Sequence, residues 1–149
     1  MKKVWIALFS LVFGFAVMAQ EKTEFVSKML EGTVFLLDKE QKVSELPWNP
    51  HASFKGVSLK HLITGKDTGN TLSCHIVKIE PKCALDMHLH DGKIEIYEVI
   101  AGRGKMYLDG KAIDYSTGQV CIILANTPHK VVAGKDGMYI LAKFTPSLL

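Results

Sequence analysis

From Lys55 onward the chain runs in short apolar or alternating stretches, each cut by Gly, Asp, Asn or Pro. Such punctuation is too frequent for long helices and matches strands of four to nine residues joined by tight turns. The stretches Val57 to Ile63, Thr71 to Ile79, Glu95 to Ile100, Lys105 to Leu108, Val120 to Leu124, His129 to Val132 and Met138 to Phe144 are predicted strands. Asp109-Gly110, between Tyr107-Leu108 and Lys111-Ala112, predicts a two-residue hairpin turn, because both central positions need positive φ. Gly65 to Asn70 and Gly134 to Gly137 read as further polar turns. Seven or more strands at this spacing predict an all-β sandwich or barrel in one domain.

The other end of the chain has a different character. Lys2 and Lys3 precede a run from Val4 to Met18 without charge, and Val17-Met18-Ala19 offers the small residues a signal peptidase needs. The run is shorter than the roughly 20 apolar residues a spanning helix requires. Residues 1–19 are therefore predicted to be a signal peptide cut after Ala19, giving an exported, periplasmic or secreted protein with no stable membrane insertion after cleavage. Cleavage leaves 130 of the 149 residues and takes the formal charge from +3 to +1 with the loss of Lys2 and Lys3. That length suits one domain with a single core. The scattered Lys and Arg argue against a nucleic-acid partner, which would need them clustered. Residues 20–56 read as an amino-terminal extension, with a short helix around Phe25, Met29 and Leu30 or a strand over Thr33 to Leu37, ahead of a barrel over 57–149. Three cysteines, Cys74, Cys83 and Cys121, allow one disulfide at most and read as buried apolar thiols.

Four side chains form a pattern that carries chemistry. In His88-Leu89-His90 the two imidazoles share one face of an extended chain, while Met87 and Leu89 point away. Asp91-Gly92-Lys93 supplies a turn, Glu95 opens the next strand, and His129 starts another after Asn126-Thr127-Pro128. Imidazole and carboxylate donors that a barrel can bring together suit a divalent transition metal. Strand parity places Tyr97 on the Glu95 face, as a pocket candidate, and Glu98 on the opposite one. His51, His61 and His75 have no spacing that suggests a site; His61 and His75 read as exposed or pairing strand residues and His51 as a loop residue. Met106, Tyr107 and Phe144 read as core.

These motifs resemble those of the cupin superfamily. Its first motif is a His-x-His pair, three or four residues, a Glu, six residues and a Gly, and is matched by His88 and His90, four residues, Glu95, six residues and Gly102. Its second, a Gly, a strand, a Pro-containing turn and a His, is similar to Gly118 through Pro128 to His129. The similarity covers about residues 57 to 144. Lys82, Gln119 and Asn126 depart from the pattern, which usually has Gly, Asp and Gly there. The resemblance implies a jelly-roll barrel (a double-stranded β-helix) that binds one divalent transition metal ion, Fe, Mn, Ni or Zn, through His88, His90, Glu95 and His129.

Three imidazoles and one carboxylate leave positions open for a ligand that offers oxygens. The first functional expectation is a small metalloenzyme, a dioxygenase, isomerase or lyase acting on a small oxygenated metabolite. The alternative is a cell-envelope protein that binds a sugar, metabolite or metal without turnover. Cupin relatives commonly pair, so a homodimer is expected, with the segment Phe25 to Trp48 as a candidate for exchange.

Overall fold

The computed structural model describes residues 24–149. The predicted signal peptide, residues 1–19, lies outside them. Residues 24–30 form a helix, α1. Two short paired strands follow, β1 (Thr33–Phe35) and β2 (Glu40–Lys42), then a 3-10 turn at Val43–Glu45. The remaining strands are β3 (Asn49–Pro50), β4 (Val57–Ile63), β5 (Ser73–Ile79), β6 (Ala84–His88), β7 (Ile94–Leu108), β8 (Lys111–Ser116), β9 (Val120–Ile123) and β10 (His129–Thr145), with a one-turn helix α2 at Gly65–Thr68. Among the described residues no helix is long and apolar enough to cross a membrane.

The strands form two antiparallel layers because β7 and β10 run through both. From Met138 to Thr145, β10 pairs with β5 and with the first half of β7, giving a layer ordered β3-β4-β5-β10-β7-β9. From His129 to Ala133, β10 pairs with β6 and with the second half of β7, which also carries β8. This is the predicted cupin jelly roll. The crossing point is built from glycines. Gly102 has φ 88° and Gly137 φ 76°, and a Cβ on Gly102 would lie 2.3 Å from the Gly137 carbonyl oxygen. Here the backbone bends while two strands touch, which side chains would prevent.

Sequence patterning explains which faces are covered. Along β5, Val77 and Ile79 face the barrel interior with Val99, Met106, Val131 and Ile140. The intervening Cys74 and Ile76 face outward, where Val26, Val43, Leu62 and Ile100 cover them. A strand buried on both sides needs an apolar run without alternation, and five successive residues of β5, Ser73 to Val77, are buried. The segment 24–48 thus lies on the outer face of its own chain's sheet. Lys60 fastens it there: its buried Nζ donates to the carbonyl oxygens of Val43, at 2.9 Å, and Leu46, and sits 5.4 Å from the centre of the Trp48 ring.

Turn chemistry follows the sequence closely. Asp109 and Gly110 take φ 46° and 76°, as the hairpin requires. Lys82 and Asn126, where the cupin pattern has glycine, both adopt φ 62°, the left-handed conformation that makes glycine usual there. The side chain of Gln119, where Asp is usual, accepts a 2.7 Å hydrogen bond from the Ser116 N–H and closes its turn. Asp67 caps the one-turn helix by accepting from the Thr64 N–H at 2.9 Å, so a segment read as a plain turn is partly helical.

Candidate metal centre

Each of the four predicted ligands reaches the barrel interior from a different place. His88 ends β6, His90 follows it, Glu95 is the second residue of β7, and His129 opens β10 opposite His88. One donor atom from each lies within 4.8 Å of all the others. His129 Nε2 is 3.1 Å and His90 Nε2 3.4 Å from Glu95 Oε2, near enough for attraction but not aligned for hydrogen bonds. Both Glu95 oxygens and the Nε2 atoms of His90 and His129 are buried without a hydrogen-bond partner. Each such atom costs about 1–3 kcal/mol if left alone. Donors bound to one ion at about 2.1 Å sit about 3 Å apart when at right angles, so these residues fit a single transition-metal ion.

The surroundings prepare the donors for that role. His88 Nδ1 lies 2.6 Å from the Asp86 carbonyl oxygen and His129 Nδ1 2.9 Å from that of Thr127. A ring that donates through Nδ1 keeps its Nε2 lone pair free, which is the usual outer support of a metal-binding histidine. Burial, reinforced by the His129 and His90 rings, pushes His88 down to about 4 against the opposing pull of the Asp86 carbonyl. Its imidazole is neutral at pH 7. Burial would raise the Glu95 carboxyl, but the His129 and His90 imidazoles together outweigh it and hold the group below its ordinary value. The cluster therefore offers one carboxylate anion and the neutral His88 imidazole, with the His90 and His129 rings beside them, a donor set that a divalent ion takes.

Parity places the neighbours as the sequence suggests. Tyr97 shares the Glu95 face, is 2 % exposed, and its ring centre lies 6.0 Å from that of His129. Burial first, and the Glu95 charge next, raise its phenol well above the ordinary value, so the hydroxyl keeps its proton. Tyr115 holds this stretch of β7 by donating to the Tyr97 carbonyl oxygen at 2.7 Å. Glu98 lies on the outer face and pairs with Lys143 at 2.6 Å, and Met87 and Leu89 are exposed. Cys74, Cys83 and Cys121 are free thiols.

Three histidines set aside in the sequence are also near the interior. His75 is fully buried; its Nδ1 lies 2.9 Å from His61 Nδ1 and its Nε2 2.9 Å from Ser73 Oγ. Phe144 separates this pair from the cluster, with ring centres 5.8 Å from His75 and 5.0 Å from His90. His51 stacks on Phe54, and Phe54 packs against His88. Each is isolated in sequence; the strand partnership of His61 with His75 was the one available signal, and it needs the β4–β5 register.

Comparison with known proteins agrees with this geometry. Residues 75–142 match the cupin domain family. An oxalate-binding protein from Thermotoga maritima is 25% identical over 104 residues, covering 69% of this chain and 86% of that protein. A solved structure described as a predicted oxalate decarboxylase, also from Thermotoga maritima, superposes with a TM-score of 0.63 at 25% identity, covering 69% of this chain and 95% of that one. The structure of KdgF from Halomonas sp. gives 0.60 at 21% identity, over 69% of this chain and 88% of the other, a likeness of fold. With the two motifs, the jelly roll and the converging donor set all present, residues 75–142 are a cupin domain and the barrel around them has the cupin fold.

Proposed function

We propose that the protein is a metalloenzyme whose single divalent ion, Fe, Mn, Ni or Zn, is held by His88, His90, Glu95 and His129, and which converts a small oxygen-rich carboxylate as a dioxygenase, isomerase or lyase. The observation that carries this reading is the set of four buried, unpartnered donor atoms on His90, Glu95 and His129, facing one space with His88 beside them. When bound, the ion supplies Lewis acidity to a ligand that offers two oxygens. Oxalate is the first ligand to try, because similar proteins are described as oxalate-binding and as a predicted oxalate decarboxylase.

The protein's own groups divide the remaining work. Glu95 brings a fixed negative charge, and the neutral imidazole of His88 adds none to oppose a cation. Tyr97 keeps its proton beside Glu95, so its hydroxyl is a potential donor and does not compete as an anion. Phe144 and Phe54 wall the cluster and limit water. A binding protein without turnover is the second reading, favoured by the oxalate-binding relative. The amino-terminal pattern supports export to the periplasm or medium, and a homodimer is part of the proposal.

The test incubates the full mature chain, loaded with each metal in turn, with oxalate and related small hydroxy acids, and follows ligand and products by NMR. Product formation that is lost in Glu95→Gln supports the enzyme. Tight, metal-dependent binding without product supports the second reading. Neither binding nor product with any metal overturns both.

A further inference from the structure

The loop between β3 and β4 holds an imidazole that the metal cluster does not use. His51 Nδ1 accepts the backbone N–H groups of Ser53 at 3.1 Å and Phe54 at 3.2 Å. A ring nitrogen that accepts carries no proton, so the neutral ring carries its proton on Nε2. The backbone is pinned too, with the His51 N–H donating to the Val57 carbonyl oxygen at 2.9 Å. The His51 ring lies nearly flat on Phe54, centres 4.4 Å apart and planes 18° apart, and the Phe54 ring centre is 5.4 Å from that of His88. A chain of ring contacts, stacked between His51 and Phe54 and tilted between Phe54 and His88, therefore connects this loop to the cluster.

Exposure shows which side of the cluster is open. Glu95 and His129 are 1 % and 0 % exposed and form the closed back wall, whereas His88 and His90 are partly exposed. The cluster is therefore more open on the side of His88 and His90, where Phe54 packs against His88 and His51 stacks on Phe54. Burial first, and then the His90 imidazole, keep the His51 ring below its ordinary pKa, so the ring is uncharged at neutral pH.

We propose that His51 is a positioning residue, whose fixed, uncharged Nε2–H donates a hydrogen bond at the mouth of the cluster to an oxygen of the carboxylate ligand within, with Phe54 as the apolar wall beside it. The inference rests on the ligand reading given above. It adds a selection rule: the outer end of the ligand is an acceptor, a carboxylate or carbonyl oxygen, and an ammonium group at that end is rejected.

His51→Asn separates positioning from structure. The Asn side-chain oxygen can accept the same backbone N–H groups two and three residues on, so the loop keeps its bonds while the outer donor is lost. Oxalate binding to the zinc-loaded full chain is measured by calorimetry, with zinc content as a control. The ¹⁵Nε2–H resonance of His51 is followed during the titration. The expected result is full zinc content, about tenfold weaker oxalate binding in His51→Asn, as one lost hydrogen bond to a charged acceptor gives, and a ¹⁵Nε2–H shift on ligand addition in the unmodified protein. Undiminished affinity in His51→Asn, with no shift of that resonance, overturns this inference and leaves the ligand reading standing. Absence of binding to oxalate and related small hydroxy acids with zinc, iron, manganese and nickel loaded in turn overturns both.

Discussion

Loading the cluster with an ion changes what its buried donors cost, and thermal unfolding reads that change. In the metal-free chain four polar atoms on His90, Glu95 and His129 are buried without partners. An ion that binds only the folded state adds RT ln(1 + [L]/Kd), about 2.7 kcal/mol at a hundredfold excess over Kd. For a domain of this length each kcal/mol moves Tm by about 3–5 °C, so saturating zinc at pH 7 is expected to raise Tm by about 10 °C over chelator-treated protein. Glu95→Gln removes the site's negative charge and should abolish most of that shift. Scanning calorimetry with and without zinc measures all four values. A Tm indifferent to metal in the parent, or a full shift retained in Glu95→Gln, would refute the reasoning.

Two further predictions concern parts of the barrel away from the ligands. Burial, with the His61 ring adding to it and the Glu95 charge opposing, depresses His75 to about 4. An imidazole with a lowered folded pKa leaves stability intact above about 6.5, the unfolded value, and loses it as pH falls from there to about 4, because only the unfolded chain takes up the proton. Between pH 7 and pH 5 the metal-free parent should lose about 2 kcal/mol more than His75→Gln in urea unfolding, and equal losses would count against the buried pair. Lys60→Met leaves the Val43 and Leu46 carbonyls without their donor, and should lower stability by about 1–3 kcal/mol in the same assay while metal content stays unchanged. No loss would show that the ammonium does not fasten the segment.

How much of this was legible in the sequence depended on whether a local pattern carried it. Val57 to Ile63 was read with its final bounds because alternation and flanking turn residues agree. The longest strands were each read as two, since Gly102 to Gly104 and Gly134 to Gly137 look like turns; in the structure they are bends through which β7 and β10 pass from one layer to the other. β6 was not named as a strand, because Asp86 and Met87 are both exposed where its register shifts and no alternation survives. β8 shows only Tyr115 to the core, and its hairpin turn was its one clear signal. The clustering of His88, His90, Glu95 and His129 was legible because two motifs bring them in at fixed spacings. His51, His61 and His75 were not, because each becomes a neighbour only through a loop stack or a strand register.

The central claim is that His88, His90, Glu95 and His129 hold one metal ion. Elemental mass spectrometry on mature protein, purified without chelator or affinity metal, tests it beside a variant carrying both His88→Ala and His129→Ala. The account predicts near one equivalent of a single transition metal in the parent and its loss in the variant. No metal in either protein, even after reconstitution with iron, manganese, nickel and zinc, or equal metal in both, would contradict it.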